Sequence, residues 1–434
     1  MKSENTTCKS RAAVLLCTAF FMLIPIFESN GETFVFKEKK GTKQHTISTV
    51  NEQVLLNGEL LYDTLILNRM TSEVKSINTD NDRINTQFDA VFTLAEERLT
   101  PENAASTASV STFSWKEDYK SVFSRNDKGK ITIARDIVMP TVRDVPIFPD
   151  KDIVVGETWS APGVEAHDLG PTFGIKELFT IPFVADYKYI GEREWRGKKY
   201  KAISITYTAE KNTSDYFESD PKGTMLNEPK NVYRPTRVLV KSDQIMLWDS
   251  DLGQPVNASE HFSLIFKMSD GNIFQFMGTA EAEIIESTEM DKTKLSAEID
   301  KSLKEAGIND ATVKIVDDGV SISIENIQFH ADSAFLQESE KKKLDKIGEI
   351  LKKYSDRDIL VGGHTALAGG TAESRMQLSN ERAGAVAAYL IKNSVRPRER
   401  IMVRGFGSNK PIADNVSEEG KRKNRRVEIT ILEN

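Results

Sequence analysis

Cysteine is almost absent from this sequence, and its scarcity bounds the chemistry available. Cys8 and Cys17 are the two cysteines among 434 residues. Both lie in residues 1–31, where a basic start and a short apolar run predict a secretion signal that is too short to span a membrane comfortably. Cleavage near Gly31 would leave a chain without cysteine. We therefore expect an exported protein that uses neither disulfides nor thiol chemistry.

Catalytic and metal-binding patterns are missing as well. The five histidines are scattered singly, without the spacing of metal ligands, and no HExxH or GxSxG motif occurs. The paired carboxylates Asp317 and Asp318 precede Gly319 in a pattern typical of a hairpin turn. The sequence thus predicts a protein that is not an enzyme and that holds no metal and no cofactor.

A strong charge of one sign is also lacking. The formal net charge is −7, with 58 basic and 65 acidic residues mixed along the chain. Such a balance argues against nucleic acid as a partner and against general electrostatic adhesion to anionic lipid. The length is sufficient for two or three domains, because a single core seldom grows beyond ~250–300 residues.

Short β-branched or aromatic segments fill residues 32–290 and predict antiparallel sheet. Hairpin loops are predicted at Asn57-Gly58, Asp127 to Gly129, Trp195 to Lys198 and Asp270 to Asn272.

Three prolines between Pro140 and Asp150 predict a boundary, because proline fits neither a helix nor a central strand. We therefore expect β domain 1 at 32–145 and β domain 2 at 146–290, each a sandwich or an open, barrel-like sheet. The apolar segments are only four to six residues long, and several carry charge on both faces, so soluble domains are favoured over a membrane barrel.

The chain after residue 290 alternates helix and strand patterns. Residues 291–319 contain a helix (Ser296 to Ala306) and a hairpin, and they form either a linker or the start of the last domain. Within 320–434, the alternation predicts an α/β domain with a mixed sheet and helices on one face. Its strands are predicted at Ile359–Val361, Ile401–Arg404 and Val427–Ile431.

A polar corner follows the strand at Ile359. Gly363, His364 and Thr365 stand at the carboxyl end of that strand, and Ser379 is predicted to cap the N-terminus of the next helix. Arg382 would then lie in the first helical turn. Free amide groups at a helix start, together with a guanidinium, favour an anionic ligand.

Five short motifs occur in one order within this last domain. They are GHT at 363–365, LSxxRA at 378–383, GFG at 405–407, KP at 410–411 and NRRVE at 424–428. Together they resemble the OmpA-type peptidoglycan-associating domain, across roughly residues 320 to 434. The GHTALAG loop is similar to that of spirochaete, including treponemal, members of the family.

The resemblance implies how such a domain grips the diaminopimelate side chain of peptidoglycan. In the family, an aspartate after the GHT-type tripeptide pairs with the amine, and the arginine of LSxxRA pairs with the carboxylate. Here the arginine is Arg382, but Ala366 stands at the aspartate position, and Arg375 replaces a usual asparagine. We therefore doubt classical diaminopimelate binding. Treponemal walls carry ornithine instead, which keeps an amine but lacks the second carboxylate.

These residues form the candidate site. The candidate ligand-binding residues are Arg382, Thr365, Arg375, Glu373 and Asp332, of which Glu373 or Asp332 would replace the missing carboxylate. The candidate scaffold residues are His364, Ser379, Asn424 and Arg425. Arg382 could equally be a structural residue paired with Glu373 or Glu381.

Two functions remain open. In the first, the last domain holds the cell wall while the β domains hold outer-membrane or periplasmic proteins, which makes the chain a tether in the periplasm. In the second, the OmpA-like fold no longer binds peptidoglycan and serves as a structural or protein-interaction scaffold. Weak candidates for a β-domain surface that binds lipid or polypeptide are Gly156 to Trp159 and Phe274 to Phe276.

Overall fold

The structure is a computed structural model. It describes residues 31–80, 82–99, 115–169, 178–212, 235–286, 290–325, 327 and 336–433. Nearly all of the predicted secretion signal, including Cys8 and Cys17, lies outside these residues, as does Asp332. Over the described ranges, no helix combines the length and the apolar character that a membrane crossing requires.

Twelve strands form one large antiparallel sheet. They are β1 (Lys43–Leu56), β2 (Glu59–Asp80), β3 (Arg83–Leu99), β4 (Trp115–Asn126), β5 (Ile131–Ile133), β6 (Val142–Arg143), β7 (Thr158–His167), β8 (Phe179–Trp195), β9 (Lys198–Asn212), β10 (Pro235–Asp249), β11 (Gln254–Met268) and β12 (Ile273–Glu286). Their order across the sheet is β5-β4-β3-β2-β1-β12-β11-β10-β9-β8-β7-β6.

The four predicted hairpin loops are confirmed. They connect β1 to β2, β4 to β5, β8 to β9 and β11 to β12. At the first loop, Asn57 and Gly58 have φ angles of 54° and 87°. Two successive left-handed residues match the right-handed twist of the flanking strands, which is why Asn-Gly is favoured there.

Strands from both predicted β domains share this single sheet. β1 is hydrogen-bonded to β2 on one side and to β12 on the other, so residues 32–145 and 146–290 meet in the middle of the sheet. The proline-rich segment from Pro140 to Asp150 follows the edge strand β5 and contains the other edge strand, β6. Proline ends a strand locally, but it does not prevent distant strands from pairing.

The two edges of the sheet approach each other, so the sheet curls. Ser121 on β4 donates its hydroxyl to the Met139 carbonyl at 2.7 Å. The amide of Ile131 on β5 donates to a carboxylate oxygen of Asp144, just after β6, at 2.7 Å. Side chains and connecting chain thus join the edge strands across the gap.

The strands are much longer than the four to six residues expected from their apolar segments. β2 has 22 residues, and β3 and β8 have 17 each. Polar residues continue the ladder: Arg69 on β2 pairs with Ile47 on β1 and with Thr93 on β3. The prediction of strand length was wrong because backbone pairing does not require apolar side chains.

An aromatic core fills one part of the curled sheet. Phe34, Phe148 and Trp248 are almost fully buried, and their rings contact one another. Trp159 stacks on Tyr187 with ring centroids 5.1 Å apart and donates its indole N–H to the Ile147 carbonyl at 2.8 Å. The Trp159 side chain therefore packs in this core.

The C-terminal part is a mixed α/β unit, as predicted. Its strands are β13 (Ala311–Val316), β14 (Gly319–Glu325), β15 (Ile359–Gly363), β16 (Ile401–Gly405) and β17 (Arg426–Leu432), in the order β13-β14-β17-β15-β16. β15 and β16 are parallel, and the other neighbours are antiparallel. The helices are α1 (Lys292–Glu305), α2 (Glu338–Lys352), α3 (Ala372–Lys392) and α4 (Glu418–Asn424), and a 3-10 turn covers Arg398–Arg400.

The two faces of this smaller sheet have different neighbours. Alternate residues such as Ile359, Val361 and Ile429 pack in one core with buried residues of α1, α2 and α3. On the opposite face, Leu360, Met402 and Leu432 pack against Leu65, Leu67 and Ala95 of the large sheet. The helices therefore cover one face, and the large sheet covers part of the other.

Candidate functional site

The GHT motif and the GFG motif lie side by side at one end of the smaller sheet. The amide of His364 donates to the Arg426 carbonyl at 3.0 Å, and the amide of Thr365 donates to the Gly407 carbonyl at 2.9 Å. The amide of Phe406 donates to the Gly363 carbonyl, also at 2.9 Å. These bonds extend the pairing of β15 with its neighbours past the strand ends and fix the course of the loop.

Helix α3 begins earlier than the sequence pattern suggested. Its N-cap is Thr371, whose hydroxyl accepts a hydrogen bond from the Ser374 amide at 3.1 Å, and the Ser374 hydroxyl accepts one from the Thr371 amide at 2.9 Å. The prediction of Ser379 as N-cap was therefore wrong. The helix starts before Ser379 because the reciprocal Thr371–Ser374 bonds satisfy its first free amides.

This shift changes the setting of Arg382. Arg382 lies in the third turn of α3 and is half-buried. It is therefore not in the first helical turn, where the helix dipole would favour an anionic ligand beside it. The predicted anion corner at Ser379 was wrong for the same reason. Whether Arg382 binds a ligand stays a prediction.

Ser379 has a bracing role instead. Its buried hydroxyl donates to the Met376 carbonyl at 2.7 Å and accepts from the Gly407 amide at 2.9 Å. A Cβ atom at Gly363 would lie 1.9 Å from the Ser379 carbonyl oxygen, so α3 and β15 approach as closely as glycine allows. Ser379 thus joins the helix to the loop that follows β16.

Beside the loop, the half-buried Glu428 carboxylate contacts the buried side chains of His364 and Arg426. His364 Nε2 lies 3.2 Å from a carboxylate oxygen of Glu428, and Arg426 Nε donates to the other oxygen at 2.7 Å. Burial would raise the pKa of Glu428, but the hydrogen bond from His364 and the charge and hydrogen bond of Arg426 lower it below its ordinary value. The His364 ring also stacks on Phe406, with ring centroids 5.0 Å apart.

Burial lowers the pKa of His364, so its imidazole is neutral at pH 7. With Nε2–H donated to Glu428, Nδ1 is left as an acceptor. Nδ1 has no hydrogen-bond partner among the described residues. The Thr365 hydroxyl and Arg426 Nη1 are likewise buried without a partner in the described part of the chain. Three polar atoms that could meet a ligand or water are therefore left at this corner.

Ala366 directly follows these groups and is 4% exposed. Where the resemblance leads us to expect a carboxylate, the chain has a buried methyl group. The amide of the next residue, Leu367, donates to the Asn415 side chain at 2.9 Å. The loop is thereby tied to residues 412–415.

Asn424 holds the other side of the same loop. It is fully buried at the end of α4, and its side-chain oxygen accepts from the amides of Ile412 and Ala413 at 2.8 and 3.1 Å. Its amide nitrogen donates to the Ala413 carbonyl at 2.9 Å and to the Asn415 side chain at 3.0 Å. Arg425 is half-buried and caps the C-terminus of α4.

The remaining candidates differ in position. Arg375 donates to the carbonyls of Gly369 and Gly370 at 2.7 and 2.9 Å and to the Ser408 hydroxyl at 3.1 Å. It therefore braces the loop before α3. Glu373 is exposed in the first turn of α3, where its own backbone amide and then Thr371 lower its pKa. Asp332 lies outside the described residues, so its role stays a prediction.

Sequence reasoning left Glu428 and Phe406 without a role, although they belong to the NRRVE and GFG motifs. The signal for Glu428 was its spacing of two from Arg426, which puts both side chains on one face of β17. No sequence signal indicated that Phe406 would stack on His364, since that contact depends on the pairing of β15 with β16.

The mixed sheet, its helical face and this braced loop define a domain of the OmpA type. The model of the OmpA family matches residues 328–425, which confirms the resemblance. The chain therefore carries a C-terminal domain of the OmpA family.

Particular relatives share this similarity. The probable lipoprotein YiaD of Escherichia coli K12 is 40% identical over 106 residues, which are 24% of this chain and 48% of YiaD. Peptidoglycan-binding protein ArfA of Mycobacterium bovis is 36% identical over 105 residues, 24% of this chain and 32% of ArfA. An outer membrane protein structure from Borrelia burgdorferi B31 is 36% identical, covering 28% of this chain and 96% of that one, with a TM-score of 0.24. The chain thus spans about half or less of the curated relatives' length.

Proposed function

We propose that the C-terminal domain associates with cell-wall peptidoglycan and that the chain is a non-enzymatic tether in the periplasm. In this proposal the large sheet holds outer-membrane or periplasmic proteins. The observation that carries the wall-binding part is the cluster of buried polar atoms at His364, Thr365 and Arg426 that have no partner within the described residues. The OmpA family match and the peptidoglycan-binding relative ArfA support it.

The polar atoms of His364, Thr365 and Arg426 should favour some types of peptidoglycan over others. A buried ammonium needs an anionic partner, because an unpaired buried charge is costly. Ala366 offers none, and the nearby Glu428 carboxylate is already bonded to His364 and Arg426. The imidazole acceptor, the hydroxyl and the guanidinium N–H suit neutral amide, hydroxyl or carboxylate groups. We therefore expect a stem peptide whose recognition does not depend on an ammonium at Ala366.

Sedimentation with purified peptidoglycan tests this proposal. The full-length protein is mixed with wall from its own organism and with a diaminopimelate-type wall, and the bound fraction is measured. Binding to its own wall, with weaker binding to the other, is expected. Thr365→Val removes the free hydroxyl at nearly constant volume and should lower binding several-fold, roughly the effect of one lost hydrogen bond of about 1 kcal/mol. Arg382→Ala should lower it as well if Arg382 contacts the ligand.

The matched control is Arg422→Ala, which removes an exposed arginine from the nearby helix α4. It should bind like the unmodified protein if the corner, and not surface charge, is responsible. Ala366→Asp should increase binding to the diaminopimelate wall. Failure of the unmodified protein to bind either wall would refute the tether.

The scaffold alternative is favoured by one observation. The face of the smaller sheet opposite its helices packs on the large sheet and carries ion pairs across the contact, including Arg404 with Asp118 at 2.9 Å. A domain held in this way could act as a rigid spacer without binding wall. Absence of wall binding, combined with gained binding in Ala366→Asp, would support this second function.

A further inference from the structure

The curled sheet forms an open cavity beside the aromatic core around Trp248. Its volume is about 290 Å³, near the lower end of the ~300–1,000 Å³ typical of small-molecule sites. The lining comes from strands at both ends of the sheet order. Its main apolar residues are Leu94, Tyr119, Leu169, Leu264, Phe266 and Phe276. The cavity therefore exists only because the sheet curls.

The apolar wall is not closed by packing. Leu94, Leu264 and Phe276 are only half-buried, although they face the inside of the curl. Phe266 is buried, and its ring meets Phe276 edge-on with centroids 5.9 Å apart. Half-buried aromatic and aliphatic side chains around a cavity present the surface that an apolar ligand would cover.

Acidic side chains stand at the same cavity. Glu52 lines it from β1, and burial together with the nearby charge of Glu96 raises the pKa of Glu52 to about 7. His167 also lines it and lies 2.6 Å from a carboxylate oxygen of Glu165, which is 4% exposed. Tyr207 donates to the other oxygen of Glu165 at 2.7 Å.

Basic groups do not balance these carboxylates. Among the described residues that line the cavity, His167 is the sole basic side chain, and it is engaged by Glu165. An anionic head group would meet Glu52 with no cation to offset the repulsion. An ammonium would find a partner in the Glu52 carboxylate.

We infer that this cavity binds a small amphiphile that has an apolar chain and a cationic amine, with the chain against the Leu94, Leu264 and Phe276 side chains and the amine at Glu52. The site is separate from the GHT corner and would hold its ligand whether or not the C-terminal domain binds wall. It gives the large sheet a small-molecule ligand in addition to any protein partner.

Three ligands with one chain and three head groups test the inference. Octylamine, octanol and octanoate are titrated into the full-length protein at pH 7.5 in detergent-free buffer, below their aggregation concentrations, with calorimetric detection. Octylamine is expected to bind at least about tenfold more tightly than octanoate, which corresponds to about 1.4 kcal/mol. Because this series uses the unmodified protein, it does not depend on how any variant folds.

Two variants locate the site. Glu52→Gln should reduce the preference for the amine over the carboxylate to within about threefold, less than 1 kcal/mol. Glu59→Gln, an exposed acid on β2 next to the β1–β2 loop, is the control and should keep the preference. Equal or tighter binding of octanoate, no binding of octylamine, or an unchanged preference in folded Glu52→Gln would each overturn the inference.

Discussion

Asp358 joins the C-terminal unit to the large sheet through a buried ion pair. Its side chain is fully buried. One carboxylate oxygen accepts from Arg400 Nε at 2.6 Å, and the other pairs with Arg69 on β2 of the large sheet. Arg69 is itself buried, so the pair sits in a low-dielectric contact beside Leu67 and Leu432.

Replacing Asp358 with Asn removes the charge at nearly constant volume. The Arg69 guanidinium then stays buried without the Asp358 carboxylate. Breaking a buried ion pair in this way typically costs about 3–5 kcal/mol, because the remaining charge is no longer compensated. Arg400 would lose less stabilisation than Arg69, since it also donates to the Asp356 carbonyl at 2.7 Å and is partly exposed. We therefore expect Asp358→Asn to lower the free energy of unfolding by about 3 kcal/mol, the lower end of this range.

Urea unfolding followed by two signals measures this loss. All four tryptophans lie before residue 290, so their fluorescence reports the large sheet. All described helices lie after residue 290, so circular dichroism at the helical minimum reports mainly the C-terminal unit. In Asp358→Asn, the helical transition should move to lower urea than the fluorescence transition.

Two further variants make the test decisive. Glu349→Ala removes an exposed acid of α2 that pairs with Lys352 and should cost less than about 1 kcal/mol. The double change Arg69→Met with Asp358→Leu should recover most of the stability, because apolar residues often replace a buried ion pair without loss. A cost below about 1 kcal/mol for Asp358→Asn would refute the reasoning.

Burial, together with the charge of Arg69, lowers the pKa of His45 to about 4. As pH falls below the ordinary value of 6.5, the unfolded chain therefore binds a proton at His45 before the folded chain does. The free energy of unfolding that is present above pH 6.5 should fall by about 3 kcal/mol between pH 6.5 and pH 4. His45→Gln should lessen this loss in acid-unfolding curves. Thr371→Ala should cost about 1 kcal/mol of urea stability by removing the α3 N-cap, whereas Thr371→Ser should restore it. Gly363→Ala should lower the free energy of unfolding by more than about 3 kcal/mol, because the added Cβ would collide with the Ser379 carbonyl. A melting temperature like that of the unmodified protein would contradict the close approach of α3 to β15.

Local features followed from local sequence. Asn57-Gly58 predicted its hairpin because two left-handed residues suit a tight β turn, and the structure has φ angles of 54° and 87° there. The spacing of Ala383, Val386, Ala387 and Leu390 likewise predicted the buried face of α3. The motifs of the last domain identified its family because they combine turn glycines, a strand end and a buried asparagine in one order.

The first and last residues of helices and strands were harder to predict from the sequence. Ser379 resembles an N-cap by residue type, but α3 starts at Ala372, because the Thr371–Ser374 bonds cap it earlier. Strand lengths were underestimated because apolar runs mark where side chains are buried, whereas the backbone ladder of β2 continues through Asn68 and Arg69.

The sequence by itself determined the hairpins, the helical face of α3, the mixed α/β class of the last domain and its family. Only the tertiary structure decided that β1 pairs with β12, that Arg69 meets Asp358 and that Glu52 faces an apolar cavity. The physical reason is separation along the chain. Residues hundreds of positions apart leave no local pattern, and their pairing is chosen by which surfaces can be buried together once all the strands are in place.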